Sequence, residues 1–509
     1  MSHHLRLLSI VSLVLFALTP ATLLGQAPAY AQLIPSNTNA DQDYGYSVGL
    51  DGDVAVVGAF RDGASVPLEA GAAYVYRYGN GVWSEEARLR ATTPTNLNWF
   101  GWSVAVSGDA ILVGERFGDE AGTNSGDVYV FRHGAGGWAQ EAVLTSPTAS
   151  SGEDFSYAVA LSGDIAVVGA PAADATGQVF VYRHSNGSWS YEATLTASDA
   201  SPQAMFGYSV AIDGRRIVVG ALSAPDGISN QAGKVYIYES IDGQWRERAD
   251  LFAEDSNNLA GLGVSVGIKG DWVVAGAALN NELGGGAGAA YVYHYDLGVW
   301  SFHSKLTALA GQGFFLFGSS VAITEGQIMV GADNWFASGE GSTGKTYLFD
   351  YDGTTDVWTE SAGFVPDEAT VGGKYGHAVA IDDGVMLAGA PDNDGTLDAQ
   401  GAAFIIGVPN VPTAIEDALP APAFRIEAPY PNPFSSETSF TITPADDGPV
   451  RARLFDLLGR EVRSVYDGRL PAGSPATFRI DAGELPAGVY LLRIEGGRGS
   501  ETHKLVRTH

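Results

Sequence analysis

Three motifs, on four stretches of this sequence, have residue types and spacings that could do chemistry. "GEGSTGKT", Gly339 to Thr346, fits G-x-x-x-x-G-K-[ST], a loop whose backbone amides wrap phosphates while its lysine reaches the terminal ones. Gly45-Tyr46-Ser47-Val48-Gly49 and Gly263-Val264-Ser265-Val266-Gly267 fit the nucleophile elbow G-x-S-x-G. Asp392-Asn393-Asp394-Gly395-Thr396-Leu397-Asp398 spaces carboxylates as a hard cation such as calcium would need them. Each motif works only in one setting. The phosphate loop needs a helix N-terminus after it. The elbow needs a strand-to-helix turn and a distant His/Asp pair.

The surrounding elements are repeats. "YGYSVGLDGDVAVVGA" from Tyr44 recurs in related form from Phe100, Phe155, Phe206, Leu262, Phe317 and Tyr375. Each copy continues through an aromatic run such as Tyr74-Val75-Tyr76 or Tyr236-Ile237-Tyr238. A tryptophan follows in six copies, at Trp83, Trp138, Trp189, Trp245, Trp300 and Trp358. Six residues later comes Leu89, Leu144, Leu195, Leu251, Leu306 or Phe364. A tight Asp-Gly turn such as Asp51-Gly52 splits the opening stretch into two strands. Each unit therefore encodes four strands. Seven such units, none able to bury both faces alone, predict an all-β seven-bladed propeller over residues 32–408.

The repeats dispose of the first two motifs. Lys345 sits in the register of Lys234 and Ala72, ahead of a strand and not a helix. The elbow serines recur as Ser103, Ser209 and Ser320, which marks them as structural. The aspartate loop joins strands 2 and 3 of the seventh unit. Asp392, Asp394 and Asp398 are the candidate calcium ligands, with an Asp/Asn/Gly-rich turn as the favoured reading.

The last unit stops at Ile406 without a fourth strand. Leu33 precedes Tyr44 by the spacing found elsewhere between the leucine and the next unit. Residues 32–37 are thus expected to close the seventh blade. Before them lies a short basic start, a twelve-residue apolar core from Leu7 to Leu18, and Ala29-Tyr30-Ala31. This reads as a secretory signal peptide over residues 1–31, its apolar core too short to span a membrane. No transmembrane segment is expected after its removal. No cysteine is present.

Charge is uneven. The net charge is −30; residues 32–423 hold 16 basic and 47 acidic side chains, whereas residues 424–509 hold 11 of each. So acidic a body repels nucleic acid and anionic membranes.

The paired "FG" and "GA(P)" elements, complete at Gly169-Ala170-Pro171 and Gly389-Ala390-Pro391, resemble FG-GAP repeats. That family includes the propeller of integrin α chains, and the resemblance implies the same fold. The calcium loop of integrin-type repeats has no room in the tight hairpin here. After a Pro/Ala-rich linker over 409–428, residues 429–509 resemble a type IX secretion sorting domain. The resemblance rests on Tyr430, Pro431, Asn432, Pro433 and Phe434, then Gly459, Gly488, Tyr490 and Lys504. It implies a small antiparallel β-sandwich, recognition by the type IX machinery, and a secreted or cell-surface protein of a Gram-negative bacterium, exported through the periplasm.

The expected function is binding or adhesion to an extracellular protein or glycan, with no cofactor beyond the calcium candidate. The 2–3 and 4–1 loops share one face of a propeller. They carry non-repeating large side chains, Trp99, Phe117, Met205, Phe314, Phe315, Trp335 and Phe336, as candidate ligand contacts. A secreted enzyme acting on polysaccharide or protein is the alternative, and a structural surface component is a third. No catalytic residue is identified. His377 breaks the repeat near the axis, but sequence offers it no partner.

Overall fold

In the computed structural model the described residues are 30–37, 42–63, 69–148, 150–226, 231–253, 255, 259–308, 314–336, 341–394, 400–407 and 424–508, with short breaks in the last span at 431, 433, 445–447, 457–459, 484, 487 and 497–498. The chain forms two compact units, which meet in sequence at Val411. Apart from one turn of 3₁₀ helix at Ala173–Ala175, the regular structure is strand.

The first unit holds seven four-stranded antiparallel sheets. Blade 1 runs Tyr44–Asp51, Val54–Ala59, Ala72–Gly79 and Val82–Leu89, and the pattern repeats around the ring. Strand 1 of each blade packs on strand 1 of the next, and Val379–Asp382 of blade 7 packs back on Tyr44–Asp51. Seven sheets so joined are a closed propeller with strand 1 at the axis. Strand 2 is fully buried in Val54–Ala59, and in every blade its second to sixth residues are buried, so most copies read as a continuous apolar run. Strand 4 is the outer edge. It alternates exposed and half-buried residues, and its charged side chains discourage edge-to-edge pairing.

Closure uses the N-terminus. Tyr30–Leu33 pairs with Ala402–Ile406, and Leu33 lies opposite Ala403 as Leu89 lies opposite Ala73 in blade 1. The closing strand is therefore Tyr30–Leu33 and not 32–37. It starts where the partner strand ends, at Ile406, so Tyr30 and Ala31 are part of the blade's outer strand. Residues 1–29 lie outside the described residues.

Repeated residues turn out to tie blade to blade. Ser47, Ser103, Ser209, Ser265 and Ser320 each donate a hydrogen bond to a carbonyl of the following blade, at 2.7–2.9 Å. The elbow pattern is thus an inter-blade stitch. The "FG" glycine is fixed by close approach: Gly101 has φ +92°, and a Cβ there would lie 2.3 Å from the Ala72 carbonyl oxygen. The indoles of Trp138, Trp189 and Trp245 donate to Glu86, Glu141 and Glu192 of the preceding blade. Lys345 lies in a strand, Lys345–Asp352, with its Nζ 4.3 Å from the Tyr347 ring centre.

The first aromatic of strand 3 is buried and hydrogen-bonds to a carboxylate in several blades. Tyr74 donates to Asp62, Tyr236 to Asp199 and Tyr291 to Asp255. Each of those carboxylates has a cation beside it: Arg88, Lys234 and Lys305 respectively. Blade 2 differs. Tyr129 donates to Glu115, which pairs across the sheet with Asp127, and both acids are buried. Burial, with the neighbouring Asp127 charge, raises Glu115 to about 7; burial, with Glu120 and Asp119 nearby, raises Asp127 to about 6. Folding therefore holds protons that the unfolded chain would release. The stability contributed by the pair is complete below about pH 4, falls as pH rises toward 7 and is lost above it. Glu115→Gln should stabilise the protein at pH 8 by up to about 3 kcal/mol, the equivalent of its upward shift, and flatten the decline between pH 4.5 and 7. Thermal melts across that range check this; a wild-type midpoint that rises through the same window counts against it.

The second unit has two sheets around one core. Phe424–Tyr430, Glu437–Pro444 and Ala476–Asp481 form one; Gly448–Asp456, Glu461–Leu470, Gly488–Gly496 and Gly499–Arg507 form the other. Phe440, Ile442, Leu454, Leu492 and Leu505 lie in the core between them.

Candidate functional site

The third residue of each repeat opening lies at the axis. In blade order these are Tyr46, Trp102, Tyr157, Tyr208, Val264, Ser319 and His377, and all seven line one cavity of about 440 Å³. The recurring "FG"-type turn, with Ser156 for the glycine in blade 3, and the strand that follows it set this ring, because each copy enters strand 1 at the same height. The residue after the strand 2 "GA" contributes a second ring, of which Leu222, Ala278 and Asp333 reach the cavity.

The first four ring residues form an aromatic arc. Tyr46 and Trp102 have ring centres 4.6 Å apart, Trp102 and Tyr157 5.7 Å, and Tyr157 and Tyr208 4.9 Å. The guanidinium of Arg116 sits 4.3 Å from the Trp102 ring centre and pairs with Asp154. Trp102 also donates its indole N–H to the Tyr157 carbonyl. Burial and neighbouring hydroxyls raise Tyr46 and Tyr157 well above the usual tyrosine range, so both remain neutral donors.

The opposite side is polar. His377 Nδ1 lies 3.1 Å from Asp333 Oδ2. His377 therefore has a partner, contrary to the expectation from sequence; the partner sits in the 2–3 loop of the neighbouring blade, where no local pattern could reveal it. Asp333 Oδ1 is buried and makes no hydrogen bond. Ser319 stands beside them in the ring.

The loop aromatics named from sequence divide. Trp99 stacks on Trp102 at 5.7 Å with planes 13° apart, and packs against Phe60 and Phe117. It buttresses the arc from behind. Phe315 is only 3% exposed and packs against Trp335 and Phe336, forming a separate cluster. Met205 is half-buried, with its sulfur 3.8 Å from Ser223 Oγ. Phe314 alone of the seven is largely exposed, at 67%. The seven are not one patch. The loops do lie at the end of the axis where the cavity opens, but the cavity wall is built one step inward. Sequence did hold a signal for that wall: a position that changes chemistry from blade to blade inside an otherwise constant frame.

Asp392 pairs with Lys374 at 2.8 Å, and the Asp394 backbone N–H donates to Thr370; Asp398 lies outside the described residues. Among the described residues no group of three or more His, Asp or Glu is arranged to hold a metal ion, and no helix is long and apolar enough to cross a membrane. In the second unit, Asn432 accepts from the Val506 backbone N–H, Phe434 is buried, Tyr490 donates to the Pro486 carbonyl, and the Gly488 and Lys504 backbones lie in paired strands. Tyr430 lies in the first strand of this unit, whereas Pro431, Pro433 and Gly459 fall outside the described residues.

Residues 29–76, 83–131, 138–182, 189–238 and 245–293 match the FG-GAP repeat, and residues 428–508 match the secretion system C-terminal sorting domain. The matched unit starts in strand 4 of one blade and ends in strand 3 of the next, the phase that leaves the N-terminal strand to complete the last blade. The sorting domain marks the protein for the type IX route, either secreted or attached to the cell surface. No curated protein matches the chain. Among solved structures, the periplasmic gluconolactonase PpgL of Pseudomonas aeruginosa is similar, at 13% identity and a TM-score of 0.44, covering 84% of this chain and 98% of its own. A Bacteroides uniformis protein described provisionally as a 6-phosphogluconolactonase is similar at 11% identity and a TM-score of 0.44, covering 64% and 86%. Likenesses of this size say nothing about what the funnel does.

Proposed function

We propose that the axial cavity of this chain, built of FG-GAP repeats and carrying a type IX sorting domain, is presented outside the cell and binds carbohydrate. One observation carries the reading: an arc of four aromatic rings faces Ser319, Asp333 and His377 across a cavity of about 440 Å³. Flat aromatic faces receive the apolar face of a sugar ring, and the polar side meets its hydroxyls. The size is within the usual range for small-ligand sites.

Calorimetric titration with xylo-, cello- and manno-oligosaccharides tests this on the purified full chain. Tyr208 lines the cavity and contacts the arc only through Tyr157. Tyr208→Ala should weaken binding by about 30-fold, near 2 kcal/mol, as for a central aromatic contact. Its cost to stability should stay near 1 kcal/mol. Binding unaltered by this change, or no binding by the wild type, removes the proposal.

A further inference from the structure

Between the aromatic and polar arcs the cavity wall is aliphatic, formed by Leu222, Val264, Ala278, Leu279 and Leu316. An unmodified sugar has nothing to place there. A sugar carrying a short O-acyl group does, since the acyl chain would leave water for an apolar wall. Where the polar arc turns toward the aromatic one stands His377, 4.8 Å from the Tyr46 ring centre. It is the only imidazole in the ring of seven.

Its partner is as singular. At the position of Asp333 the other blades place Phe60, Arg116, Pro171, Leu222, Ala278 and Pro391, so no other blade needs an aspartate to close. A carboxylate at Nδ1 holds the imidazole with its proton on that nitrogen, leaves Nε2 with a free lone pair, and stabilises the imidazolium once it forms. His377 is partly exposed, on the cavity wall.

We infer that His377 is a general base that hydrolyses an O-acyl ester of the bound carbohydrate, with Asp333 as its positioning residue. The inference rests on the carbohydrate reading above. His377 Nε2 takes a proton from a solvent water as the water oxygen bonds to the acyl carbon. The tetrahedral intermediate collapses with cleavage of the bond between the acyl carbon and the sugar oxygen. The imidazolium gives its proton to that oxygen, leaving a sugar hydroxyl and a free carboxylic acid; nothing is oxidised or reduced. An ester fits this wall better than a glycosidic bond, whose hydrolysis ordinarily uses two carboxyl groups flanking the bond. The cavity wall carries one, Asp333, already engaged by His377.

The purified full chain is incubated with acetylated xylo-oligosaccharides, and released acetate is measured. Wild type should release acetate, and His377→Gln should lower kcat by about 100-fold or more, the usual contribution of a general base, with an unchanged melting profile. Asp333→Asn should lower kcat more than it raises KM, because the imidazole loses the carboxylate that orients it. His184→Gln, on the outer surface beside Glu141, should change nothing. If His377→Gln unfolds, the kcat-against-KM split of Asp333→Asn decides: an unchanged kcat overturns the inference. Acetate release by wild type no faster than by His377→Gln overturns the inference. Binding of deacetylated xylo-oligosaccharide by wild type then separates the two claims: binding without hydrolysis leaves the carbohydrate reading standing, whereas absence of both removes both.

Discussion

Deleting Tyr30–Leu33 should lower the melting temperature of the protein by about ten degrees or more. These four residues supply the whole outer strand of blade 7. Leu33 is buried in a core that includes Tyr44 and Tyr74 of blade 1 and Leu387 and Ile405 of blade 7, so it joins the two ends of the ring. Its burial alone is worth about 2–3 kcal/mol. The lost ladder and the exposed edge of Ala402–Ile406 add to that, for a total on the order of 5 kcal/mol at roughly two degrees per kcal/mol in a unit this large. The new edge carries Phe404, Ile405 and Ile406 and should also promote association between chains. Calorimetry of the truncated chain checks the first expectation. Addition of a synthetic peptide covering Tyr30 to Asn37 should recover part of the lost midpoint. An unshifted melt would mean that the ring does not depend on this strand.

The second large effect separates two neighbouring phenylalanines. Phe315→Ala should cost about 3–5 kcal/mol, the range for truncating a buried aromatic. Phe314→Ala should stay within about 0.5 kcal/mol, as surface changes do. The difference follows from exposure: 3% for Phe315, against 67% for Phe314. Phe315 anchors the cluster with Trp335 and Phe336, 5.3 Å from the latter's ring centre. Denaturant titration of both variants measures the contrast. Equal costs would show that the cluster does not hold the loop. Xylo-oligosaccharide binding should be untouched by Phe314→Ala, since that residue does not line the cavity.

Much of this molecule was legible without coordinates, for a physical reason particular to repeats. A blade cannot bury itself alone, so residues that serve blade packing must recur at every copy. Ser47 and Lys345 resembled catalytic groups until their recurring positions marked them as strand residues, and their hydrogen bonds and ring contacts agree. Leu33 could be matched to Leu89 by spacing alone, because a closing strand must present the same side chain to the same pocket. Its true bounds could not, since strand length is set by the partner at Ala402–Ile406. The buried Glu115 and Asp127 were invisible for a related reason: nothing local says that the cation present in other blades is missing from this one.

The sequence by itself determined the strand order, the number of blades, the route of export and the face on which variable loops gather. All of these depend on local pattern or on a short address read in order along the chain. Only the tertiary structure decided the functional wall. Tyr46 and His377 come from the first and last blades, and their rings meet at 4.8 Å because the sheet ring closes. Asp333 reaches His377 across a blade boundary for the same reason. Closure converts one repeat position into a circle of seven side chains of five types, and which of them face one another across the axis is a property of the circle, absent from any single repeat.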